Sequence, residues 1–158
     1  MIAQFSLVYD DSGLEVGARL GRRVSFAQAT LKPGVVVDGV VTHPTEFAAT
    51  LKQALRGATP RPIRDRHVIV GLPETRIFTT LVTLPQVHAR ELTGALALQL
   101  PELLPVPPDE LIVDFQPISA RRRDERQLLV IAAPVAVVVP LVAAVERDFL
   151  SSLDFDPL

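Results

Sequence analysis

Two carboxylates, a hydroxyl and a glycine stand together at Asp10-Asp11-Ser12-Gly13, and these are residue types that can bring phosphate and magnesium together or simply close a tight turn. Adjacent carboxylates repel a phosphate unless a cation intervenes, so the hairpin-turn reading fits them better. His43, His67 and His88 are scattered at no ligand spacing, and none pairs with a nearby carboxylate in a metal motif; no metal is expected. Arg121-Arg122-Arg123-Asp124-Glu125-Arg126 has the charge to attract acidic lipid head groups or nucleic acid. Its own Asp124 and Glu125 cut that charge, and no aromatic platform accompanies it, so it reads as a solvated hairpin tip and no nucleic acid partner is expected. There is no cysteine to supply a thiol nucleophile, and no Gly-x-Ser-x-Gly, phosphate-binding P-loop or paired-carboxylate pattern. Catalysis has no residues to rest on, and the chain is not expected to be an enzyme.

The elements that must position these residues can be read along the 158-residue chain, which is long enough for one domain or two small subdomains. Phe5–Tyr9, Leu14–Leu20 and Val24–Leu31 read as three strands of a meander. They are joined at Asp10-Asp11-Ser12-Gly13 and Gly21-Arg22-Arg23, where Gly and Asp tolerate positive φ. Lys32-Pro33-Gly34 is a turn, and Val35–Val41 a short apolar segment. Pro44 suits the first position of a helix, along which Phe47, Leu51, Ala54 and Leu55 share one face before Gly57 ends it. Pro60–Arg66 is a polar connection, followed by a strand at His67–Leu72 and another at Ile77–Leu84. Ala89–Leu103 is predicted helical, with Leu92, Leu96, Leu100 and Leu103 along one side, and Pro101 predicts a kink or an early stop. Strands at Leu111–Ile118 and Gln127–Ala133 and a helix from about Pro134 to Phe149 complete the pattern.

Composition narrows the class. Hydrophobic residues make up 48% and charged residues 22%, with mean hydropathy +0.31 and net charge −2. That is a well-cored chain with no global field to draw nucleic acid or an anionic membrane. The lack of cysteine fits a reducing cytoplasm, and Met1-Ile2-Ala3-Gln4-Phe5 lacks the charged region and apolar run of a signal peptide. Leu128–Val145 runs for 18 residues without a charge, which meets the length of a membrane span. Pro134, Pro140 and the weakly apolar alanines favour a buried strand followed by a buried helix instead.

Leu104-Pro105-Val106-Pro107-Pro108-Asp109-Glu110 links a helix to a strand through prolines that fix φ and remove backbone donors, so a turn must form there. Together with Gly71-Leu72-Pro73, Arg76-Ile77-Phe78-Thr79-Thr80, Leu84-Pro85, Glu91-Leu92, Asp114-Phe115 and Ala132-Ala133-Pro134, in this order, it resembles the PilM family. This is the actin-like (FtsA-like) cytoplasmic component of type IV pilus assembly, and the resemblance spans Leu31 to Leu158. It implies an α/β (α+β) fold of mixed sheets with flanking helices. Residues 1–72 would form a partial actin-like subdomain 1A, residues 73–150 a 1C-like subdomain, and residues 151–158 the start of a return to 1A.

The resemblance also carries functional expectations. Actin-like ATPases place their first phosphate hairpin, Asp-x-Gly-[Ser/Thr], where Asp10-Asp11-Ser12-Gly13 stands. Here Gly13 does not follow Asp10 at the expected spacing and no Lys lies just downstream, so no cofactor is expected; ATP and magnesium would need a second lobe. The family holds the short cytoplasmic N-terminal peptide of a PilN-like inner-membrane protein in a groove between 1A and 1C. A non-enzymatic scaffold is therefore expected, cytoplasmic and peripheral to the inner membrane through that partner, with pilus motor or platform proteins as further partners and room for oligomers. Two alternatives stand beside it: half of a nucleotide-binding actin-like ATPase, and the cytoplasmic L-type protein of a type II secretion system. Leu98, Leu104, Pro105, Val106 and Pro107 are the candidate lining of the groove; equally, the leucines read as ordinary core and the prolines as turn formers. On the groove reading, Val106 sits at a surface turn and its replacement by Asp should leave stability nearly unchanged.

Overall fold

The computed structural model describes residues 4–64, 67–85, 88–118 and 125–149. The chain divides into two units. The first comprises the described residues up to Arg76 together with the last helix from Ala136 on, and the second spans Ile77–Val135.

In the first unit, β1 (Gln4–Tyr9), β2 (Gly13–Leu20) and β3 (Arg23–Thr30) form the expected antiparallel meander. β4 (Val36–Val37) and β5 (Val40–Val41) fold the valine-rich segment into a small hairpin of its own. α1 (Pro44–Gly57) follows, and β6 (His67–Gly71) then pairs in parallel with β1, giving the mixed order β3-β2-β1-β6. Strict alternation along β1 turns Phe5, Leu7 and Tyr9 to one face, where Leu14 and Val16 of β2 join them. α1 covers that face because its 3.6-residue period brings Phe47, Leu51, Ala54 and Leu55 to one side. Tyr9 and Phe47 meet edge to face with ring centroids 5.5 Å apart.

The second unit is a three-stranded antiparallel sheet in the order β7-β9-β8, built from β7 (Phe78–Pro85), β8 (Leu111–Ile118) and β9 (Glu125–Pro134). α2 (Leu92–Leu103) packs Leu92, Leu96 and Leu100 against Val82, Leu84, Leu128, Val130 and Ala132. Pro101 neither stops nor shortens α2, which continues to Leu103 and closes with the Leu104 amide donating to the Leu100 carbonyl. Pro101 has no amide to bond the Ala97 carbonyl, and with only two helical residues after it the disruption is confined to the last turn.

The uncharged run Leu128–Val145 is a strand and a helix, β9 and α3 (Val135–Phe149). Among the described residues, no helix is long and apolar enough to cross a membrane. The structure differs from the sequence reading in assigning α3, which was expected inside residues 73–150 with the second unit. Leu141, Ala144 and Val145 instead belong to the core that holds Phe5, Leu7 and Phe47. Apolar periodicity shows that a helix has a buried face and leaves open which core buries it. Residues 151–158 and the arginine-rich tip at 121–124 lie outside the described residues.

Candidate functional site

The β1–β2 connection is a closed four-residue turn in which the Asp10 amide donates to the Gly13 carbonyl at 3.0 Å. One oxygen of the Asp10 carboxylate accepts from the Ser12 amide at 2.7 Å, the Gly13 amide at 2.9 Å and the Ser12 hydroxyl at 2.6 Å. These bonds, the hydroxyl first and then the two amides, hold the Asp10 carboxyl below the usual carboxylate range. The amides that would face a phosphate are thus directed at a side chain of the turn itself.

Asp11 points elsewhere. Its two carboxylate oxygens accept from the Asp38 and Gly39 amides, each at 2.8 Å. Asp38 and Gly39 are the two central residues between β4 and β5, with φ of 51° and 75°, the positive values a two-residue hairpin of this hand needs. Glycine also suits position 39 sterically: a Cβ there would come within 3.1 Å of Arg76 Cγ and 3.2 Å of Pro73 Cγ. The buried Tyr9 hydroxyl donates to the Gly39 carbonyl at 3.1 Å, and burial pushes the phenol up to about 12. Arg76 approaches the Asp38 carboxylate at 3.6 Å. The result is an open depression of about 670 Å³ lined by Asp10, Asp11, Ser12, Asp38, Pro73 and Arg76 among others. Three carboxylates against one guanidinium make it a poor seat for a nucleotide phosphate tail.

His43, His67 and His88 fall at separate places: before α1, at the start of β6 and before α2. Among the described residues, no three metal-ligating side chains come together.

The five residues proposed from sequence to line a peptide groove divide by direction. Leu98, in the middle of α2, is 82% exposed, and Pro105 and Pro107 are also exposed. Leu104 is buried in the second unit's core, and Val106 packs half-buried against that same core. Val106 is therefore not the free surface residue expected, because its side chain packs back onto the second unit's core instead of pointing outward.

Sequence reasoning missed the Asp38-Gly39 turn as the partner of the first hairpin, and Arg76 as the partner of Asp38. The Asp-Gly pair between two valine pairs was a visible hairpin signal, but nothing local says which carboxylate will meet its amides. It also missed an apolar outer face on the second sheet. Leu81 is 60% exposed and lies directly across from Leu129, beside the exposed Ile131.

The sequence profile of the family described as type IV pilus assembly protein PilM matches residues 20–156. The chain belongs to the PilM family. No curated protein matches the sequence. Among solved structures, the PilM-PilN type IV pilus biogenesis complex contains a chain that is similar with a TM-score of 0.80 and 22% identity, over 93% of this chain and 45% of that one. The cytoplasmic domain of EpsL, an inner-membrane component of the type II secretion system of Vibrio cholerae, is similar with a TM-score of 0.56 and 13% identity, over 92% and 52%. Both likenesses concern the fold, which is the mixed α/β, actin-like fold of PilM. The chain spans about half the length of these solved chains.

Proposed function

We propose that this PilM-family chain is a non-enzymatic scaffold of a type IV pilus assembly platform and takes up the short cytoplasmic N-terminal peptide of a PilN-like membrane protein. On this reading it sits on the cytoplasmic side of the inner membrane through that partner. The observation that carries the reading is the family match over residues 20–156, joined to a fold likeness to a chain from a PilM-PilN complex.

The geometry offers physical support. An extended apolar peptide binds through main-chain hydrogen bonds to an open strand edge and through apolar contacts beside it. The three-stranded sheet leaves β7 and β8 as its edges, and Leu98 presents an exposed leucine on the helix packed against that sheet. Leu98, Pro105 and Pro107 remain candidates for direct contact, whereas Leu104 and Val106 support them from the core. On this reading the first unit corresponds to subdomain 1A and the second to 1C. The self-satisfied Asp10 turn supports a chain that does not turn over ATP. The poorer likeness to EpsL makes the type II secretion reading the weaker one.

A fluorescently labelled N-terminal peptide of the PilN-like protein, titrated with the chain, tests the proposal by anisotropy. Saturable binding that a scrambled peptide does not reproduce is expected, and Leu98→Asp should weaken it about 5- to 100-fold, as loss of an anchor does. Equal binding of native and scrambled peptide would overturn the reading.

A further inference from the structure

We infer that the Asp38-Gly39 turn is a seat for a small oxyanion and that Asp11 is its built-in occupant, so the β1–β2 hairpin is held closed by its own carboxylate. The seat has specific parts. Two adjacent backbone amides donate to the two oxygens of one carboxylate at 2.8 Å each, the pairing that an external carboxylate or phosphate would make. Positive φ at both turn residues sets those amides, and Pro73 and Arg76 stand close enough that a Cβ on Gly39 would crowd them. The Tyr9 hydroxyl grips the Gly39 carbonyl from below, and the Arg76 guanidinium lies 3.6 Å from the Asp38 carboxylate at the rim.

The residues that donate and the residue that accepts are 27 and 28 positions apart in the chain. The bond is therefore a tertiary tie between two hairpins, whereas the Asp10 bonds only shape a local turn. Its consequence is that a phosphate arriving at the depression finds the Ser12 and Gly13 amides held by Asp10 and the Asp38 and Gly39 amides held by Asp11. The hairpin is self-ligated. This inference is independent of the peptide-binding proposal, since it concerns the opposite face of the chemistry: which anions the first unit refuses, and why.

The test is substitution with chemical rescue. Asp11→Ala should raise amide hydrogen exchange at Asp38 and Gly39 and lower the melting midpoint by about 2 to 6 °C, the loss of a charge-assisted tie in a chain of this size. Formate or inorganic phosphate at tens of millimolar should then restore protection at those two amides in Asp11→Ala while leaving the native protein unchanged. Asp11→Asn is the second variant, needed if Asp11→Ala fails to fold; one side-chain oxygen survives, so one of the two amides should stay protected while the other opens. Unchanged exchange at Asp38 and Gly39 in Asp11→Ala would overturn the tie. Raised exchange that neither formate nor phosphate reverses would overturn the seat. Peptide binding measured on the same variants reports separately on the scaffold reading.

Discussion

Replacing Val106 by Asp should destabilise the protein although the residue lies between two prolines of a turn. Val106 is half-buried against the core formed by Leu100, Leu104, Leu128 and Val130. Losing half of a valine's burial costs about 1 kcal/mol, taking half of the 1.5–3 kcal/mol for a fully buried side chain. Partial desolvation of the new carboxylate adds roughly 1 to 2 kcal/mol. The sum of about 2 to 3 kcal/mol lowers the melting midpoint by about 5 to 10 °C, at 2–4 °C per kcal/mol for a chain of this size. Leu98→Asp is the matched control. At 82% exposure it should stay within about 0.5 kcal/mol of the native protein. A thermal melt followed by circular dichroism reads both, and the ranking is the result that matters. If Val106→Asp melts like the native protein, or if Leu98→Asp melts lower than Val106→Asp, the assignment of inward and outward faces around α2 is wrong.

Two further outcomes follow from single contacts. Gly13→Ala would set its Cβ 2.8 Å from the Ala29 carbonyl oxygen, a backbone atom of the adjacent strand, so a loss of about 1 to 3 kcal/mol is expected in a urea melt; a variant as stable as the native protein would refute the tight β2–β3 approach. Tyr9, the chain's single tyrosine, is held protonated to about pH 12 by burial, so the unfolded chain loses its proton first. Stability should fall as pH rises from about 10, the ordinary tyrosine value, and level off near 12, by about 2 to 3 kcal/mol in all. Tyrosinate absorbance that titrates with an ordinary midpoint in the folded protein would show the phenol to be open to water.

The amino-acid sequence by itself determined most elements, because each rests on local chemistry. The alternation through Phe5, Leu7 and Tyr9 makes a strand, Pro44 and the spacing of Phe47, Leu51 and Leu55 make a helix, and the prolines after Leu104 force a turn. It also split the uncharged stretch Leu128–Val145 correctly, since Pro134 marks the join between strand and helix. The order of family motifs carried the kinship, a property of the chain that needs no coordinates.

What the tertiary structure decided are the pairings between elements. α3 joined the first unit's core, Val106 turned inward while Leu98 stayed out, and Asp11 reached across to the Asp38-Gly39 turn. Each depends on which surface a side chain meets after the chain has closed on itself, and residue type records only that a partner is needed. A leucine asks for burial and a carboxylate for donors, and many sites in one fold can satisfy either. The free energy that selects among those sites comes from contacts between residues far apart in sequence, so the choice exists only in the folded molecule.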